Sequence, residues 1–86
     1  VDVRTEAEFR DGHIASDKVK NIDVKQPDFA GQADRELDKG LPVAVYCRSG
    51  RRSLDAAKQL TERGFEVINL KGGILEWQEK GKPTRR

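Results

Sequence analysis

The chain has 86 residues, of which 35% are hydrophobic and 37% charged, and its formal net charge is +2 at pH 7. This length suits one small domain, and no apolar run approaches the roughly 20 residues that a membrane-spanning helix needs. The 17 basic and 15 acidic residues are spread along the chain, which argues against a dedicated polyanion-binding protein. We therefore expect a soluble, monomeric protein with one domain over residues 1–86. No nucleic acid or membrane partner is expected, and both the cytoplasm and the periplasm remain open as compartments.

The amino-terminal part predicts a strand, a short helix and a second strand. Residues 1–4 are typical of the end of a buried strand, and the helix-favouring residues 5–10 are followed by the turn signal Asp11-Gly12. After a polar loop, apolar and polar side chains alternate over residues 19–24, which indicates another strand.

The next segment predicts an amphipathic helix. Pro27 stands where a helix can begin, and Phe29, Ala33 and Leu37 then recur at four-residue spacing before Gly40. This spacing places the three apolar side chains on one face of a helix.

In the centre, the sequence predicts a strand that leads through a tight loop into a helix. Residues 43–46 form a short continuous apolar run, typical of a strand buried on both faces, and Cys47 follows directly at its carboxyl end. Ser53 is a good N-cap for the helix. The helix is predicted to carry Leu54, Ala57 and Leu60 on one face. It is expected to end at Gly64.

The carboxyl-terminal part predicts a last strand and a last helix. Residues 66–70 supply the strand, and Gly72-Gly73 turn the chain into a helix on which Trp77 is expected to pack. The basic residues beyond, over 80–86, predict a solvated tail. Because strands alternate with helices across short turns, we expect an α/β domain with a mainly parallel sheet and a ligand site at the carboxyl ends of the strands.

The only cysteine lies at such a strand end. A single cysteine excludes an internal disulfide, and together with the single histidine, His13, it cannot build an ordinary tetrahedral zinc site. His13 follows Gly12, and in that setting a histidine more often supports a loop through hydrogen bonds than acts as a general base. The thiol is therefore either an inert core group or a reactive one.

The loop after Cys47 favours the reactive alternative. A thiolate is stabilised where backbone N–H groups, a helix N-terminus and cations converge on the sulfur. Gly50 allows a tight turn whose N–H groups can surround the sulfur, and Arg48, Arg51 and Arg52 add positive charge. Three arginines and a glycine make a poor apolar core, so we predict an activated nucleophile beside a site for an anionic substrate.

Several separate stretches of the chain resemble the rhodanese family. The loop CRSGRRS of residues 47–53 resembles that family's active loop, and Tyr46 precedes it. Other stretches that match the family's pattern are Asp2-Val3-Arg4, Glu8-Phe9, Gly12-His13-Ile14, Asn21-Ile22, Ala56, Leu70, Gly72-Gly73 and Trp77. The resemblance implies a three-layer α/β/α fold.

The resemblance also implies a sulfurtransferase activity. Cys47 would attack a small anionic sulfane donor such as thiosulfate, carry a persulfide, and pass the outer sulfur to cyanide or a thiol. The backbone of Arg48, Ser49, Gly50, Arg51 and Arg52 would stabilise the persulfide, and arginine side chains, Arg48 with Arg51 or Arg52, would attract the donor. Asp2, Arg4 and Ser53 are expected to support the site structurally, and no metal or organic cofactor is expected.

The chain departs from the family pattern in two places. Residues 15–20 form a longer, charged loop where the family usually has a short Gly-Ala turn, which would alter one wall of the entrance. The first strand and helix that usually precede the Asp-Val-Arg motif are absent, so we expect one sheet edge to be uncovered.

Three other functions fit parts of the pattern. A cysteine phosphatase or arsenate reductase would use a similar loop, but such enzymes resemble CxxxxxR, whereas Ser53 stands at the position of that arginine and Arg52 comes one residue early. A non-catalytic rhodanese module that docks a partner would be expected to lack the cysteine. A carrier that receives sulfur from a protein partner is compatible with every residue discussed above.

Overall fold

The computed structural model describes residues 1–16 and 18–86. Its helices and strands, in chain order, are α1 (Glu6–Asp11), β1 (His13–Ile14), α2 (Phe29–Glu36), β2 (Val43–Val45), α3 (Arg51–Glu62), β3 (Val67–Asn69), α4 (Gly73–Glu79) and β4 (Thr84–Arg85). The predicted α/β class is confirmed. No helix in the described ranges combines the length and the apolar character needed to cross a bilayer.

A parallel sheet forms the centre of the molecule. Strands β2 and β3 pair in parallel, with Val43 opposite Val67. The predicted first strand consists only of Asp2, which forms parallel bridges to Tyr46 on one side and to Asn21 on the other. The strand predicted over residues 19–24 is likewise reduced to the bridge at Asn21. Four chain segments therefore run side by side in the same direction.

The hydrophobic core lies where α2 and α3 pack together over one face of this sheet. Its members come from the sheet, from both helices and from the loops between them: Val3, Ile22, Val24, Phe29, Ala33, Val43, Val45, Cys47, Ala56, Leu60 and Phe65. Alternate side chains of a strand point to opposite faces, so Val43 and Val45 face the core while Ala44 faces the solvent. The prediction that residues 43–46 are buried on both faces is therefore wrong at Ala44.

Helix α3 begins three residues earlier than the sequence predicted. Its N-cap is Gly50, which adopts a left-handed conformation with φ of 106°, and Ser53 makes no capping contact because it lies inside the first turn. The prediction of Ser53 as N-cap is wrong for this reason. The consequence is that the Ser53 side chain is buried beside Cys47 instead of closing the helix end.

Part of the basic carboxyl-terminal tail is ordered. Strand β4 pairs antiparallel with β1, placing Arg85 opposite His13. The Pro83 carbonyl accepts hydrogen bonds from the Ala15 N–H at 3.2 Å and from the Trp77 Nε1–H at 2.7 Å. The side chains of residues 80–86 are all exposed, as predicted for a solvated tail, and Thr84–Arg85 in addition form a short strand.

Candidate active site

The structure places the sulfur of Cys47 between the end of the central sheet and the start of α3. The Gly50 N–H donates to Cys47 Sγ at 3.0 Å, and the Ser53 Oγ lies 3.6 Å from it. Because α3 is 12 residues long and begins at Arg51, the positive end of its dipole lies beside the sulfur. Only 1% of the surface of Cys47 is exposed, so any atom that reaches the sulfur must be small and terminal.

Helix α4 binds the backbone carbonyls of the cysteine loop, which we define as residues 47–53. The Ile74 N–H donates to the Cys47 carbonyl at 2.9 Å, and the Leu75 N–H donates to the Arg48 carbonyl at 3.2 Å. With these carbonyls turned towards α4, the N–H groups of the loop are free to face the sulfur. This is the arrangement expected of an anion-binding turn of backbone amides.

Hydrogen bonds to the sulfur lower the pKa of Cys47. Burial acts in the opposite direction and raises the pKa, but it is outweighed by hydrogen bonds from the Ser53 hydroxyl and from the backbone of Ser53, Gly50 and Ser49. In the thiol form the Ser53 hydroxyl donates to the Gly50 carbonyl at 3.1 Å. Loss of the thiol proton lets that hydroxyl turn to the sulfur, which favours the thiolate.

The three arginines of the loop have different environments. Arg48 and Arg51 are exposed, as is Ser49, which lies between them in the chain. Arg52 is half-buried, and its guanidinium binds the Glu8 carboxylate through two hydrogen bonds, of 2.7 and 2.9 Å. Of the predicted loop residues, Ser49, Gly50 and Ser53 interact with the Cys47 sulfur. The Arg52 side chain is directed onto α1 instead.

Glu8 was not predicted as part of the site. The sequence does hold a signal for its local role, because Thr5 and Glu8 have the spacing of a capping box, and the structure forms that box. No signal of this kind links Glu8 to Arg52, which is 44 residues away in the chain. Gly73, at the start of α4, was predicted only as a turn residue and also contacts the loop.

Asp2 and Arg4 lie behind the loop. Asp2 is fully buried, and its carboxylate accepts hydrogen bonds from Arg4 Nε at 3.0 Å and from Arg4 Nη2 at 2.7 Å. Arg4 also donates to the Gly12 carbonyl at 2.6 Å, and the adjacent His13 ring stacks on Phe9 at 3.9 Å. These contacts fix the turn after α1 against the strand that leads to Cys47.

We expect Gly73→Ala to raise the pKa of Cys47 and to weaken the fold. Gly73 has φ of 61°, and a Cβ there would lie 2.4 Å from the Arg48 carbonyl oxygen and 2.5 Å from that of Cys47. These are backbone atoms, so the loop itself must move, and the cost is on the order of 1–3 kcal/mol. The Cys47 pKa is measured from the ultraviolet absorbance of the thiolate, and the free energy of unfolding from urea titration.

Gly81→Ala is the matched control. Gly81 also has a positive φ, of 71°, but a Cβ there would meet no atom within 4 Å. This variant therefore bears the same kind of backbone strain without the clash. If both variants left the Cys47 pKa unchanged, the idea that α4 shapes the loop through Gly73 would be wrong.

Known proteins resemble this chain along nearly its whole length. The family model for the rhodanese-like domain matches residues 1–80. A putative sulfurtransferase of Bacillus subtilis is 32% identical over 83 residues, covering 96% of this chain and 76% of the relative. Thiosulfate sulfurtransferase 18 of Arabidopsis thaliana is 36% identical over 93 residues, and the match covers 96% of this chain and 68% of the relative.

A solved structure shows the same fold. The crystal structure of a rhodanese-like domain from Anabaena sp. has a TM-score of 0.86 and 30% sequence identity, and the match covers 99% of this chain and 94% of that one. The family model, the two relatives and this structure each match more than nine-tenths of the chain. The chain therefore belongs to the rhodanese-like domain family.

Proposed function

We propose that this chain is a sulfurtransferase that moves a sulfane sulfur through a persulfide on Cys47. The donor is a small anion such as thiosulfate, and the acceptor is cyanide or a thiol. The observation that carries the proposal is the sulfur of Cys47 held at 3.0 Å by the Gly50 N–H at the start of α3, with its pKa lowered. The names of the sulfurtransferase relatives support the same class of reaction.

The reaction has two displacement steps at sulfur. The Cys47 thiolate attacks the outer sulfur of thiosulfate, forming a new S–S bond while the donor's S–S bond breaks, and sulfite leaves with the electron pair. Cyanide then attacks the outer sulfur of the persulfide, which gives thiocyanate and returns the thiolate. Negative charge passes from one sulfur to the next in both steps, so the loop amides that stabilise the thiolate also stabilise the terminal sulfur of the persulfide.

The position of Arg52 supports sulfur transfer over phosphoryl transfer. A cysteine phosphatase needs an arginine side chain on the phosphoryl group, and Arg52 is the residue closest to that sequence position. Here its guanidinium is bound by Glu8. The backbone amides around Cys47 need no side chain to hold a single sulfur atom.

Intact mass spectrometry tests the proposal. After incubation with thiosulfate, we expect the protein to gain one sulfur, about 32 Da, and a reductant should remove it because the product is a persulfide. Protein alkylated at Cys47 beforehand is the control and should gain nothing. Absence of the added sulfur in the unblocked protein would contradict thiosulfate as donor and favour a carrier that receives sulfur from a protein.

A further inference from the structure

The pairing of Glu8 with Arg52 has an effect on the charge of the site. The sequence places three arginines in the cysteine loop. In the structure the charge of Arg52 is opposed at hydrogen-bond distance by Glu8, so Arg48 and Arg51 are the arginines whose side chains face solvent. The field that an approaching anion meets is therefore weaker than the sequence suggests.

Glu8 is fixed from two sides. Its Oε1 accepts the Arg52 Nη1–H at 2.7 Å and also the backbone N–H and the hydroxyl of Thr5, at 3.2 and 3.1 Å. The Arg52 side chain is 23% exposed and that of Glu8 is 32% exposed, so water screens the pair only in part. The hydrogen bond from Arg52 is the main reason that the pKa of Glu8 falls to about 2, and Glu8 is therefore charged at neutral pH.

We propose that Glu8 is a specificity-determining residue of this site, which sets how strongly the cysteine loop attracts anionic sulfur donors by opposing the charge of Arg52. Arg52 lies in the first turn of α3, between Gly50 and Ser53, whose N–H and hydroxyl lie 3.0 and 3.6 Å from the Cys47 sulfur. The pKa of Arg52 is raised mainly by its hydrogen bond to Glu8, and the charge of Cys47 adds to this effect. The Glu8 carboxylate thus acts on the donor and on the thiolate through Arg52. This inference rests on the proposed function for its effect on the donor, but not for its effect on the thiolate.

The rival interpretation is a purely structural clamp between α1 and α3. The two interpretations predict different directions for the effects of removing Glu8 and of removing Arg52. A clamp predicts that loss of either partner harms the site in the same direction. Charge opposition predicts that Glu8→Gln and Arg52→Gln change the site in opposite directions, because one removes a negative charge and the other a positive one.

Four proteins test the inference: the natural chain, Glu8→Gln, Arg52→Gln and the double variant. Glutamine at residue 8 can still accept the hydrogen bond from Thr5, so the cap of α1 is retained. We expect Glu8→Gln to lower the KM for thiosulfate and the pKa of Cys47, and Arg52→Gln to raise both. The change in KM should be about two- to fivefold, as is usual for a partly exposed charge pair, and larger at low salt. The double variant should lie between the two single variants.

The thiolate measurement keeps the test separate from the proposed function. Cys47 is the only thiol in the sequence, so the ultraviolet signal of a thiolate can be assigned to it. Burial raises the pKa of Tyr46, the single tyrosine, above its usual value. Ionisation of the tyrosine therefore does not overlap the thiolate signal. If thiosulfate proves not to be a donor, the opposite shifts in Cys47 pKa still support the role of Glu8. Shifts in the same direction for both single variants, or no shift in either, would overturn it.

Glu6→Gln is the matched control for Glu8→Gln. Glu6 lies on the same helix and is paired with Arg10, and both side chains are well exposed. The same change in net charge at this position should leave the KM and the Cys47 pKa within error of the natural chain. An effect equal to that of Glu8→Gln would show that net charge alone, and not the contact with Arg52, is responsible.

Discussion

Replacement of Cys47 by serine is expected to abolish persulfide formation and to lower sulfur transfer by about a thousandfold or more, because removal of the nucleophile stops both displacement steps. A hydroxyl is far less acidic than the thiol, and the amides that stabilise a thiolate at 3.0 Å cannot make serine a comparable nucleophile. No other thiol in the chain can replace it. Turnover with thiosulfate and cyanide measures the loss, and intact mass shows whether any sulfur is added.

The same variant should keep its fold. A serine hydroxyl can accept the Gly50 N–H and can bond to Ser53, so the change in the free energy of unfolding should be about 1 kcal/mol. Urea unfolding measures this difference. A variant that retains turnover would disprove a Cys47 persulfide, whereas a variant that loses turnover only because it is unfolded would be recognised by its urea midpoint.

The parts of the site that depend on neighbouring residues could be predicted from the sequence. Cys47, Gly50 and the arginines lie within one short loop, so their chemistry follows from their spacing and from the strand before them. The order of the four helices and of the two central strands, β2 and β3, was also predictable, since apolar spacing and turn residues mark each of them. The short strands β1 and β4 were not predicted. The candidate site could be proposed from the sequence because the residues that define it are neighbours in the chain.

The parts that depend on contacts between distant segments could not be predicted. Glu8 is 44 residues from Arg52, and Gly73 meets the carbonyls of Cys47 and Arg48 only after α4 has packed on the loop. The start of α3 was misplaced because a glycine in a left-handed conformation can close a helix N-terminus without any capping side chain. Ser53 satisfied the local capping rule, but its buried position beside the sulfur is set by tertiary packing.

The second large effect is expected for Asp2→Ala, which should lower the free energy of unfolding by about 3–5 kcal/mol because it leaves the buried Arg4 charge without its partner. Asp2 is 0% exposed and Arg4 is 6% exposed, and the pair makes hydrogen bonds from two guanidinium nitrogens. Marginal stability is usual for small domains, so this loss would leave a large fraction of the variant unfolded at ambient temperature. Urea titration and thermal unfolding measure the loss.

Two further variants decide whether burial of the charge causes this loss. Asp28→Ala removes a carboxylate from an exposed pair with Arg35, at 2.8 Å, and should cost less than about 1 kcal/mol. The double variant Asp2→Ala with Arg4→Ala removes the unpaired charge and should regain part of the stability lost in Asp2→Ala. Equal losses for Asp2→Ala and Asp28→Ala, or no recovery in the double variant, would show that the buried pair does not support the strand beside Tyr46 and the loop that follows it.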